Sequence, residues 1–187
     1  MPLKKVNVSQ ADTLTYPMIT PLITSATEDR ENVMAATWTT PLSMKPLVYG
    51  VSIGQGHLTH ELIEESGEFG VSFLDFEEVE KVLKAGRSSG RNIDKFEAFD
   101  IQKMKASAIS PPLIATSISA LECKVRSSLE VEGSTFFVGD VLVAWVREGY
   151  LKRSNVLDLG KAKPVLYLGA NRFSTTHDWD RWIKPES

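Results

Sequence analysis

Two stretches of this chain gather residues able to hold an anion. Ser88-Ser89-Gly90-Arg91-Asn92-Ile93-Asp94-Lys95-Phe96 places two hydroxyls, a glycine, an arginine and a lysine within a few positions of one another. Backbone N–H groups, hydroxyls and cations all favour a bound anion, and glycine lets a ligand come close to the main chain. The same residues would equally make a solvated loop. Upstream, Gly54-Gln55-Gly56-His57-Leu58-Thr59-His60 is a glycine-flanked turn leading into a helix, with Thr59 as the expected N-cap. The start of a helix favours an anion by about 0.3–1 kcal/mol at an exposed site, and His57 adds a donor or a cation. Thr59 capping its own helix, with no ligand, is the plain alternative. Gly54-Gln55-Gly56 completes neither a dinucleotide fingerprint nor a Walker loop.

The elements that must position these stretches are mostly strands. Leu22 to Thr27 is a first run, Glu28-Asp29-Arg30-Glu31-Asn32 a polar turn, and Val33 to Thr40 a second strand. Leu47 to Ile53 is nearly continuous in apolar character, which predicts burial on both faces. Thr59 to Gly67 predicts a short helix closed by Gly67 at the C′ position. Phe69, Val71 and Phe73 alternate as in a strand. Asp75 and Glu78 read as a capping box opening a second helix, with Phe76, Val79, Val82 and Leu83 on one face and Gly86 at its end. Asp94 to Phe99 is a further helical turn. Leu121, Cys123 and Val125 alternate with charged residues, Gly133-Ser134 makes a turn, and Phe136 to Val146 is a long run broken at Gly139-Asp140. Pro164 to Gly169 is the last strand. Many short strands with helices inserted in one region predict a mainly β (α+β) barrel or sandwich with helical excursions, not a doubly wound parallel sheet.

Composition sets the bounds. With 187 residues, 42% hydrophobic and 24% charged, the chain predicts a single soluble domain with a substantial core. A net charge of −3 argues against nucleic-acid binding by bulk electrostatics. No apolar run approaches the roughly 20 residues of a membrane span, and no secretory h-region follows Met1-Pro2-Leu3-Lys4-Lys5, so a cytoplasmic location is expected. The lone Cys123 reads as a small core residue, and Trp145, in a β run, as core too. His57 and His60 have no carboxylate or cysteine pattern around them, so a metal site is not expected. No nucleophile elbow is present.

Asn32-Val33-Met34-Ala35-Ala36-Thr37-Trp38, Ser43 to Pro46, His57-Leu58-Thr59, Ser66-Gly67-Glu68-Phe69 and Ser88-Ser89-Gly90-Arg91 with Asp94-Lys95-Phe96 occur in that order. The series resembles the flavin reductase-like family, whose domain is an FMN-binding split β-barrel. Leu121-Glu122-Cys123, Gly139-Asp140-Val141 and Tyr167 to Phe173 look like its later strands, so the resemblance covers about residues 14–173 and leaves a C-terminal tail, 174–187, in one domain. It implies a homodimer with FMN near the subunit interface. The flavin ring would lie along Ala35, Ala36, Thr37 and Trp38. Ser52, His57 and Thr59 would approach the phosphate, joined by Ser88, Ser89, Gly90 and Lys95, while Arg91 would hold the loop. The family's chemistry implies hydride transfer from NAD(P)H through FMN, as in flavin and ferric reductases, and needs no catalytic residue from the protein. An electron carrier of flavoredoxin type, or a barrel for another phosphorylated ligand, are the alternatives. The chain departs from the family's pattern in having Ala35 for threonine, His57 for arginine, and no histidine near Gly133-Ser134-Thr135.

Overall fold

A computed structural model describes residues 1–180 and 183, so Arg181 and Trp182 of the expected tail lie outside the described residues. Twelve strands and three α-helices follow one another along the chain. The main sheet contains β2 (Leu22–Ala26), β3 (Glu31–Ala35), β4 (Thr39–Met44), β5 (Leu47–Gly54), β6 (Glu68–Phe73), β9 (Ser119–Val131) and β10 (Ser134–Val146). Its order is β3-β2-β6-β9-β10-β5-β4, every pairing antiparallel.

That order forces the sheet to curl. Its two edges, β3 and β4, are joined by only Ala36-Thr37-Trp38. Flat, seven strands would hold their edges about 29 Å apart at ~4.8 Å per spacing. The linker reaches about 14 Å at most. The edges must therefore meet, closing a barrel in space that stays split in its hydrogen bonding. Trp38 bridges the gap by accepting at its carbonyl from the Ser52 N–H, at 2.9 Å, and the Ala36 N–H donates to the Pro21 carbonyl at 3.1 Å. The expected single strand from Val33 to Thr40 is accordingly two strands, broken where the chain crosses from one edge to the other.

Burial follows from the two cores that the barrel wall separates. Ile23, Tyr49, Val51, Ile53, Phe69, Val71, Cys123 and Phe137 fill the interior. Outside, Leu22, Val33, Leu74, Val82, Ala85, Phe96 and Ile101 form a second core under the helices. β2 contributes to both, so all five of its residues are buried. Cys123 is buried inside the barrel, where burial pushes its thiol up to about 12.

The helices are α1 (Leu58–Ser66), α2 (Val79–Arg87) and α3 (Lys95–Ala98). Gly67 ends α1 in the left-handed region at φ 68°, its N–H returning to Ile63. The Asp75 carboxylate caps a 3₁₀ turn, Phe76–Glu78, rather than an α-helix, and Glu78 bonds Lys81 and Thr116 instead of reaching back to a cap. α2 then runs through Gly86 to Arg87, because Gly86 packs against Ala35, where an added Cβ would come within 3.2 Å. The β9–β10 hairpin is continuous across Gly139-Asp140, with a register shift between Val138 and Gly139 in place of a break.

Two smaller sheets complete the fold. β7 (Lys103–Met104) pairs with β8 (Leu113–Ile114). β1 (Met18–Ile19), β11 (Leu166–Gly169) and β12 (Arg172–Ser174) form a three-stranded sheet beside the end of α2. Among the described residues no helix is long and apolar enough to cross a membrane.

Candidate functional site

Two depressions lie along β3, and they meet at Gly86 and Arg87. The first is walled by β3, the start of α1 and the 88–90 loop. It gathers His57, Thr59, Ser88, Ser89, Gly90 and Lys95 from three separate parts of the sequence.

α1 begins at Leu58, with His57 in the capping position at φ −85° and ψ 141° and no side chain bonded to the free N–H groups. Thr59 is thus inside the first turn and is not the cap. Its side chain, fully buried, accepts a 2.8 Å hydrogen bond from Asn32 Nδ2. The uncapped turn leaves backbone donors facing the depression, the arrangement that favours an anion. Gly90 lies against the same Asn32, whose Oδ1 would be 2.1 Å from any Cβ added there. Asn32 thereby ties α1 and the 88–90 loop to β3. Arg91 points the other way and pairs with Glu61 on the surface of α1.

Lys95 opens α3, whose start is capped by Asp94 Oδ1 accepting from Phe96 N at 2.8 Å and Glu97 N at 3.2 Å. The Lys95 side chain is 4% exposed. Its Nζ donates to the Val33 carbonyl at 2.9 Å and to the Ala85 carbonyl at 2.8 Å. Two of its three protons are committed to the protein, and burial without a carboxylate partner lowers its pKa to about 8. The ammonium therefore has a fixed place and a third donor, and gains from any anion that arrives.

The second depression lies between α2, β3 and the β11–β12 hairpin, with Ala35 and Thr37 on its wall. Ala36 turns the opposite way, into the barrel core. Trp38, 55% exposed, and Ser52 line neither depression and stand on the far side of the β3–β4 crossing. Asn32, Arg87, Tyr167, Asn171 and Phe173 also line the cleft. Of these, sequence reasoning singled out none as a site residue. Asn32, Tyr167 and Phe173 fall within motifs that it did notice, whereas nothing local marks Arg87 or Asn171.

His60, buried, hydrogen bonds Thr135 Oγ1 through Nε2 at 2.8 Å and lies 3.5 Å from Glu64. It faces the barrel interior near Phe137 and does not line the cleft.

Residues 13–176 match the model of the flavin reductase like domain. The chain belongs to the flavin reductase-like family. A ferric-chelate reductase (NAD(P)H) of Archaeoglobus fulgidus is 31% identical to it over 73% of this chain and 78% of that protein. The fold agrees with solved members. An FMN-binding protein from Thermus thermophilus superposes with a TM-score of 0.86 at 25% identity, over 98% of this chain and 99% of the other. Flavoredoxin from Methanosarcina acetivorans superposes with a TM-score of 0.85 at 28% identity, over 96% and 95%. The split barrel and its place in a flavin-binding oxidoreductase family are thus common ground with these proteins, as the motif order from Asn32 to Phe96 implies.

Proposed function

We propose that the protein binds FMN along β3 and uses it to oxidise NAD(P)H to NAD(P)⁺, passing the electrons to a flavin or a ferric complex. The observation that carries the reading is the convergence on one depression of an uncapped helix start, two serine hydroxyls and the buried Lys95 ammonium. An FMN phosphate carries close to two negative charges and needs that mixture of N–H, O–H and cationic donors. The residues present fit it: Lys95 offers its third proton, and Ser88 Oγ has no partner among the described residues.

What the cofactor supplies when bound is a ring that accepts hydride and releases electrons. The chain's own part is to hold and orient it. Lys95, Ser88, Ser89 and the first turn of α1 would fix the phosphate, with Gly90 allowing the loop its close approach. Ala35 to Trp38 would offer main-chain groups to the ring, with Ser52 beyond them. The first depression is about 210 Å³, below the roughly 300 Å³ at which pockets for whole ligands begin. A second copy of the chain, seated over exposed Trp38 and Leu42, would supply the remaining wall. A sedimentation mass equal to one chain, in the presence of FMN, would remove the dimer from this reading.

The reductase claim is tested by bleaching. FMN-loaded protein under argon is expected to lose its visible absorbance on addition of NADH or NADPH, and to regain it with a ferric chelate. Absorbance unchanged with both nicotinamides would sink the reductase and leave an electron carrier of the flavoredoxin kind.

A further inference from the structure

Resting on that reading, we propose that the second depression takes the adenylate half of a dinucleotide, its phosphate on Arg87 and its base against Tyr167 and Phe173. The depression is about 220 Å³, again below the roughly 300 Å³ of a pocket for a whole ligand, so it suits part of one. It adjoins the FMN depression through Gly86 and Arg87, which places any guest beside the proposed cofactor.

Arg87 is the charged element. Asn171 Oδ1 accepts from its Nε at 3.0 Å and also from one terminal nitrogen, so a neutral amide holds the fork while its charge stays unpaired among the described residues. The contrast with other arginines is direct. Arg91 and Arg126 pair with carboxylates, and Arg147 is spent on the Thr116 and Ser117 carbonyls. Arg87 stands at the C-terminal end of α2, where the helix macrodipole would oppose an anion. Lys95 offsets this by taking the Ala85 carbonyl of that last turn. A planar fork with free donors, held in place, is suited to phosphate.

The clamp is built into the hairpin turn. Asn171 lies at φ 59°, after Gly169 at φ 93° and Ala170 at φ 49°, and its N–H reaches the Tyr167 hydroxyl at 3.4 Å. Tyr167 and Phe173 stand with ring centroids 5.1 Å apart, both half-buried, on the same wall as Arg87. An aromatic wall beside a guanidinium is a pairing for a base and its phosphate.

The test titrates FMN-loaded protein with AMP and with adenosine. AMP is expected to bind, and adenosine to bind about tenfold or more weakly, for want of the charge-assisted contact. Arg87→Gln is expected to weaken AMP by about the same factor while the FMN affinity stays within about twofold. Arg87 is exposed, and a melting curve shows whether the variant folds. Asn171→Gly keeps the positive φ but frees the fork, and is expected to weaken AMP as well. A raised KM for NAD(P)H in Arg87→Gln assigns the adenylate to the nicotinamide dinucleotide, whereas a raised KM for FAD as acceptor assigns it to the flavin. The proposal is overturned if AMP fails to bind, if Arg87→Gln binds it unchanged, or if that variant loses FMN to the same degree. Failure of the wild type to bind FMN would instead fell the underlying reading, and AMP titration of the flavin-free protein would still decide the depression.

Discussion

Lys95→Met is expected to weaken FMN binding by about 1–3 kcal/mol, roughly tenfold to a hundredfold, as measured by quenching of flavin fluorescence. Methionine keeps the apolar stem and removes the ammonium alone. The loss has two sources: the charge itself, and the two carbonyls of Val33 and Ala85 that Lys95 now satisfies. The effect should also depend on pH with a recognisable sign. In the flavin-free protein the Lys95 pKa is lowered from the ordinary 10.5 to about 8 by burial. Between those values the unfolded chain binds more protons than the folded one, so folding stability from this group rises as pH climbs through the window. FMN affinity moves oppositely. It is expected to fall as pH rises above about 8, where the empty site loses its ammonium. Lys95→Met should flatten both slopes. Affinity unchanged by the substitution would remove Lys95 from the phosphate site.

Glu122→Ala is expected to cost about 3 kcal/mol or more of stability, read as a lower melting temperature. This carboxylate is fully buried on β9, yet it is well supplied with donors. Ala108 N donates at 2.6 Å, Trp145 Nε1 at 2.7 Å, Ser107 N at 3.0 and 3.1 Å, and Ser107 Oγ at 3.1 Å. Burial raises the Glu122 pKa, but the bonds from Ser107, Trp145 and Ala108 together outweigh it and hold the carboxyl below its usual range. Its stabilising contribution is therefore present above the ordinary carboxylate pKa of 4.5 and is lost as pH falls toward the lowered one. Alanine would leave two backbone N–H groups and an indole without their acceptor. Trp145 fluorescence should report the change, since the ring is 40% exposed and held by this bond rather than packed in the core as its strand position implies. A melting temperature within a degree or so of wild type would refute the role.

Strong local rules were readable in advance. The double-sided burial of Leu47 to Ile53, the Asp94 cap of α3 and the Gly67 end of α1 each depend on neighbours within a few positions. The co-location of His57, Thr59, Ser88, Ser89 and Lys95 came from motif order, and the structure does bring them to one depression. What could not be read was the outcome of competition between distant groups. Thr59 had the right type for a cap, but Asn32, 27 positions away, takes its hydroxyl. Val33 to Thr40 had strand composition throughout, but the closure of a seven-stranded sheet demanded a break within it. Glu122 looked like the outward member of an alternating strand until the 107–108 main chain folded over it. Arg87 and Asn171 are 84 positions apart, and only the β11–β12 turn joins them.

The central claim is that the depression between β3, α1 and the 88–90 loop holds the phosphate of FMN. The most direct test is titration of FMN with the purified wild-type chain, following flavin fluorescence, with riboflavin run in parallel. Saturable quenching by FMN, with riboflavin at least about tenfold weaker for lack of the phosphate, is the expected result. Riboflavin binding as tightly as FMN, or no quenching by folded protein, would contradict it.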